Sequence, residues 1–162
     1  MDHLWAPWRM SFIQQAHDGK QLGCVLCELQ KLSDGPENLI LHRGKQAFVI
    51  MNKFPYNCGH VMVVPNAHGA EFAALDPACG AELQLLLQKA LRAIDKVYKP
   101  QGFNIGMNLG SAGGAGIPAH LHYHVVPRWN GDTNFMPVVG QTKVLPESLE
   151  ESYAKLSKAL SS

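Results

Sequence analysis

Three histidines recur at a spacing of two in His120-Leu121-His122-Tyr123-His124-Val125-Val126. Successive side chains of an extended strand point to opposite faces, so the imidazoles line one face while Leu121, Tyr123 and Val125 bury the other. Imidazole titrates near neutrality, and a row of such groups suits metal binding, proton transfer or nucleophilic attack. The plainer alternative is a half-exposed strand whose solvent face happens to carry histidine, but three in strict register argue against it.

Cys24-Val25-Leu26-Cys27 is a second constellation. A structural zinc site takes four ligands in a tetrahedron, and a Cys-x-x-Cys pair supplies two from one turn. His68, beyond a strand that stops at Pro65, and His120, at the mouth of the histidine strand, are available to complete it. Unpaired thiols are the other reading, and a redox pair would more often open a helix that follows a strand. Cys58 and Cys79 read as small, partly buried residues.

The run Gly110-Ser111-Ala112-Gly113-Gly114-Ala115-Gly116 leads directly into the histidine strand. It is either a flexible connection or a cradle in which glycines such as Gly114 and Gly116 let backbone N–H groups approach phosphate oxygens, with Asn108 donating beside them. No Gly-Lys-Ser/Thr follows and the next element is a strand, so Walker A and dinucleotide-binding readings fail, and no organic cofactor is expected. A phosphate cradle beside a histidine row points to phosphorus chemistry with histidine as nucleophile. A neutral imidazole attacks phosphorus when its other nitrogen is held as N–H.

Several elements must position these groups. Leu39 to His42 and Gln46 to Met51 read as neighbouring strands, Val61 to Val64 as a buried strand, and Phe103 to Met107 as a strand with one apolar face. Short connections favour antiparallel order. Asp76-Pro77 opens the clearest helix, with Leu83, Leu86, Leu87, Ala90, Ile94 and Val97 on one face and Pro100 and Gly102 ending it. Pro146 to Leu160 reads as a closing helix. Trp8 to Ala16 reads as a short helix in an arm too apolar to be a solvated tail; it caps the core, reaches a second subunit or roofs the site.

With 162 residues, 46% of them hydrophobic, the chain is long enough for one sizeable core. We expect one domain over 1–162, with an arm at 1–20, a core at 21–130 and an extension at 131–162. A net charge of +1 gives no electrostatic reason for nucleic-acid or membrane binding. The N-terminus has no signal-peptide pattern and no run reaches a membrane span, so a cytoplasmic location is expected.

The His-φ-His-φ-His-φ-φ pattern at 120–126 and Gly59-His60-Val61-Met62-Val63-Val64-Pro65 resemble the two motifs of the histidine triad (HIT) family, in the same order. Trp5-Ala6-Pro7-Trp8-Arg9 and Trp129-Asn130-Gly131-Asp132 are similar to the bacterial branch that contains diadenosine tetraphosphate phosphorylases. The resemblance implies an α+β fold, with an antiparallel sheet of about five strands and one long helix, in a homodimer that joins two sheets. It implies that His122 attacks an α-phosphate and carries a nucleotidyl group, its other nitrogen held by a backbone carbonyl, with His124 and His60 supporting it by hydrogen bonding. Asn52 falls where ribose is bound and Asn108 where phosphate is contacted; the zinc ligands fall on Cys24, Cys27, His68 and His120. Where many hydrolases carry Gln and Ser or Thr to touch the phosphates, this chain has Gly116 and Ile117, in a loop one residue longer. That departure speaks against a purine nucleotide phosphoramidase and for a roomier pocket in which phosphate could replace water as acceptor. The expected reaction is nucleotidyl transfer or hydrolysis on a dinucleoside polyphosphate; the alternatives are a purine nucleotide phosphoramidase-type HIT hydrolase and, from another class, a non-catalytic nucleotide-binding module.

Overall fold

The computed structural model describes residues 23–140 and 144–161, so the expected helix from Trp8 to Ala16 lies outside the described residues. Its centre is a five-stranded sheet in the order β1-β2-β3-β5-β4. The strands are β1 (Ile40–Arg43), β2 (Ala47–Met51), β3 (Val61–Pro65), β4 (Gly102–Met107) and β5 (Tyr123–Arg128), and every neighbouring pair is antiparallel. The helices are α1 (Val25–Gln30), α2 (Pro77–Tyr98), the short α3 (Met136–Val139) and α4 (Leu149–Ser161). The expected α+β architecture with one long helix is the one observed. No helix among the described residues is long and apolar enough to cross a membrane.

β2 and β3 are buried along their whole length, because both of their faces are covered. Helix α2 packs on β2, β3 and β5, and α4 packs on α2 and β1. Asp76 caps α2 by accepting the Cys79 N–H at 3.1 Å, Pro77 takes the first turn, and Lys99 in the left-handed region closes the helix. Leu83, Leu86, Leu87, Ala90 and Ile94 are buried as the spacing predicts, and Ala93 joins them. Across the sheet, Ile50 stands opposite Met62, and Met62 opposite His124. Strand alternation therefore puts this row on one face and Val49, Val63 and Val125 on the other.

The histidine strand differs from expectation. The ladder does not begin at His120; it begins at Tyr123 and runs through Pro127 to Arg128. Arg128 O accepts the Gln101 N–H from the β4 side, so Pro127, which has no N–H, faces the other way, where β3 pairing has already ended at Val125. The solvent-face alternative fails as well, since His120 and His122 are 1% and 3% exposed. β4 is an edge strand, and its predicted apolar face is only partly covered: Phe103 and Met107 are half-buried while Ile105 is 46% exposed.

Candidate functional site

Residues 120–122 precede the ladder and are held instead by local bonds. Leu121 N–H donates to Gly69 O at 2.8 Å, and His120 N–H to Ile117 O at 3.4 Å. His122 Nδ1 lies 2.8 Å from His120 O. A carbonyl only accepts, so the proton sits on Nδ1 and the lone pair on Nε2. Burial holds this imidazole below its usual pKa, against the pull of the His120 carbonyl, and keeps it neutral near neutral pH.

His60 is fully buried. Gly59 precedes it at φ +76, where a Cβ would come within 2.9 Å of the Tyr98 ring, so glycine is needed there for both conformation and space. The Tyr56 N–H donates to His60 Nδ1 at 3.1 Å. His60 therefore carries its proton on Nε2 and donates it to His124 Nδ1, 3.0 Å away. His124 in turn carries its own proton on Nε2, and its ring lies edge-on to that of His122 with centroids 4.9 Å apart. A backbone N–H thus sets the direction of a hydrogen-bond chain that ends beside the His122 ring.

His122 and His124 border a cavity of about 500 Å³, together with Asn52, Gly116 and Ile117. Its apolar walls include Leu26 and Leu29 of α1, Ile50 and Met62. Asn52 Oδ1 accepts the Phe54 N–H at 2.9 Å, which fixes the orientation of the amide. Asn108 and Gly114 do not line this cavity; Asn108 Nδ2 donates to Gly114 O at 3.2 Å and pins the glycine-rich loop. Lys53 and Tyr56 were not anticipated. Lys53 lines the cavity from a loop with no periodic pattern, and Tyr56 acts through its backbone, which leaves no trace in side-chain type.

The second cluster assembles as the spacing predicts. The ligand atoms of Cys24, Cys27, His68 and His120 all lie within 4.8 Å of one another. Cys24 Sγ is 3.2 Å and Cys27 Sγ 3.5 Å from His120 Nδ1, and Cys27 Sγ is 3.5 Å from His68 Nδ1. His120 Nε2 donates to Pro65 O at 2.9 Å, which leaves Nδ1 with a single lone pair facing two sulfurs. One lone pair cannot serve two thiol donors well, whereas one cation can take all four ligand atoms. Ligand–ligand edges in a tetrahedron with bonds of about 2.0–2.3 Å come to about 3.3–3.8 Å; the two Cys27 contacts at 3.5 Å fall in that range and the Cys24 contact at 3.2 Å lies just below it. The donor set and its geometry fit a metal ion.

The HIT domain matches residues 34–131. The chain belongs to the HIT family. This HIT protein is 40% identical over 158 residues to AP-4-A phosphorylase of Mycobacterium tuberculosis, a match covering 94% of this chain and 80% of the relative. It is 30% identical over 93 residues to the asymmetrical bis(5'-nucleosyl)-tetraphosphatase of Schizosaccharomyces pombe, covering 57% of this chain and 50% of that protein. Among solved structures, a Zn-bound histidine triad family protein from Mycobacterium smegmatis superposes with a TM-score of 0.68 at 26% identity, over 86% of this chain and 94% of that one.

Proposed function

We propose that this HIT protein is a nucleotidyl-transfer enzyme acting on dinucleoside polyphosphates of the diadenosine tetraphosphate class, through a covalent His122–nucleotidyl intermediate. The observation that carries the reading is the His122 ring: Nδ1–H is tied to the His120 carbonyl at 2.8 Å, and the residue borders a cavity of about 500 Å³. Nε2 attacks the α-phosphorus; a P–N bond forms, the bridging P–O bond breaks, and the nucleoside polyphosphate departs with the bond's electron pair as an anion, its oxygen accepting a hydrogen bond from His124 Nε2–H, which keeps its proton. Phosphate or water then attacks the same phosphorus, a P–O bond forms while the P–N bond breaks, the attacking oxygen's proton passes to solvent, and His122 leaves with its Nε2 lone pair restored. The likeness to AP-4-A phosphorylase and the glycine at 116 support phosphate as the acceptor. Incubation with diadenosine tetraphosphate plus phosphate is expected to yield ADP and ATP, and without phosphate AMP and ATP. His122→Ala should bind nucleotide but neither turn over nor form a trapped phosphoramidate; retained turnover would sink the mechanism.

The Cys24, Cys27, His68 and His120 cluster is a structural zinc site in this reading, with about one ion per chain. Two chains pair through the open edge of β4, where Ile105 and Leu109 are 46% and 48% exposed. None of Cys24, Cys27, Cys58 and Cys79 is in a disulfide, which supports a reducing, cytoplasmic setting.

A further inference from the structure

We infer that the Cys24, Cys27, His68 and His120 cluster is a positioning device for the nucleophile, with His120 as the shared part; the inference rests on the metal-site and His122 readings above. His120 takes part in both sites through different atoms. Its Nδ1 faces the Cys24 and Cys27 sulfurs, its Nε2 donates to Pro65 O at 2.9 Å, and its carbonyl accepts the His122 Nδ1–H at 2.8 Å. That last bond decides which nitrogen of His122 bears the lone pair. A carbonyl that swings away lets the proton move to Nε2, and the nucleophilic nitrogen is lost.

The backbone alone holds this carbonyl weakly. The β5 ladder begins only at Tyr123, so residues 120–122 lack strand pairing on either side. Their main-chain ties are Leu121 N–H to Gly69 O at 2.8 Å and His120 N–H to Ile117 O at 3.4 Å. Gly69 follows His68, a member of the cluster, and Pro65 ends the strand that leads to it. The cluster therefore clamps three segments at one point: α1 through Cys24 and Cys27, the segment after β3 through His68, and the approach to β5 through His120. Partners that fix the tautomer and orientation of a metal-ligating histidine are typically worth about 10- to 100-fold in metal affinity or activity, and the same scale is taken for the carbonyl that orients His122.

The test uses the purified full chain, with zinc content measured first. His68→Ala and Cys27→Ser remove ligands that do not touch His122. On metal loss, long-range 1H–15N spectra should show His122 passing from a single Nδ1–H tautomer to a mixture. The single-turnover rate of phosphoramidate formation at saturating diadenosine tetraphosphate should fall about 10- to 100-fold. His68→Cys, which restores a ligand, should recover both readouts. If the variants do not fold, withdrawing the metal from the wild-type chain with a chelator and adding zinc back reads the same two quantities. Wild-type protein without metal overturns the metal-site reading and the coupling with it. Turnover by His122→Ala overturns the nucleophile reading. Metal lost with the His122 tautomer and rate unchanged overturns the coupling alone.

Discussion

Lys53 is the only lysine or arginine among the described residues that line the cavity, and Glu37 the only carboxylate. A dinucleoside polyphosphate brings several negative charges to this wall, while the neutral His122 offers none to balance them. Lys53 adjoins Asn52, so an ammonium there can reach phosphates beyond the one under attack. One charge-assisted contact at a partly solvated position is worth about 1 kcal/mol. Lys53→Ala should therefore raise KM for diadenosine tetraphosphate about fivefold, with kcat nearly unchanged, and the effect should shrink in high salt. A nucleoside phosphoramidate with a single phosphate should be turned over with little change. Equal losses on both substrates would remove Lys53 from polyphosphate recognition. Nothing at position 53 marks it in the sequence, whereas His60, His122 and His120 are legible because their spacing relative to the strands is itself the signal.

Among the elements, α2 is legible because Asp76, Pro77 and a sustained apolar face agree over 22 residues. Helix α1 is not, since its six residues are too few for periodicity and Cys24 makes no side-chain cap. Helix α4 starts at Leu149, later than Pro146, because Ser148 and Glu151 form a reciprocal capping box at 3.2 Å in each direction. Position 82 is a further case: Glu82 reads as a solvated position on α2, yet its two oxygens accept the Lys45 and Gln46 N–H groups at 2.7 and 2.6 Å. The helix thereby fixes the β1–β2 turn, and Gly44 leaves room for the carboxylate that a Cβ would meet at 2.4 Å. Glu82→Ala should cost about 2 kcal/mol in urea unfolding, a typical value for charge-assisted bonds to a backbone that water can partly replace. Activity at low denaturant should persist, since Glu82 does not border the cavity. A midpoint within error of wild type would show the turn to be held by β1–β2 pairing alone.

At the scale of the whole molecule, strand pairing and helix placement follow from alternation and short connections, but sheet edges do not. The apolar side of β4 looks like core in sequence and is half open in the fold, which is what an interface between chains requires. On the proposed pairing of two chains through β4, Ile105→Lys should raise the dimer dissociation constant at least about tenfold in sedimentation, by removing a half-exposed isoleucine worth about 1.5 kcal/mol and setting like charges across the proposed two-fold axis. A wild-type monomer would overturn the pairing. The far end of the same strands is closed by charge. Asp132 accepts from Arg128 at 2.6 and 2.9 Å and from Asn57 at 2.7 Å, while Arg128 also donates to Asn104 at 2.6 Å. Asn57 is buried and donates to Pro127 O as well, so β4, β5 and the segment before His60 meet here. The Arg128 bond first, then the Trp129 and Asn57 N–H groups, hold the Asp132 carboxyl well below the usual carboxylate range. The folded pKa lies under the unfolded value of about 4, so the stabilisation is fully present above that pH and fades as pH falls toward the folded value. The gap in urea midpoint between wild type and Asp132→Asn should be constant from pH 7 to about 5 and narrow progressively below about 4. A gap that does not change across that range would mean that the network stabilises through shape and neutral hydrogen bonding, with no contribution from the charge.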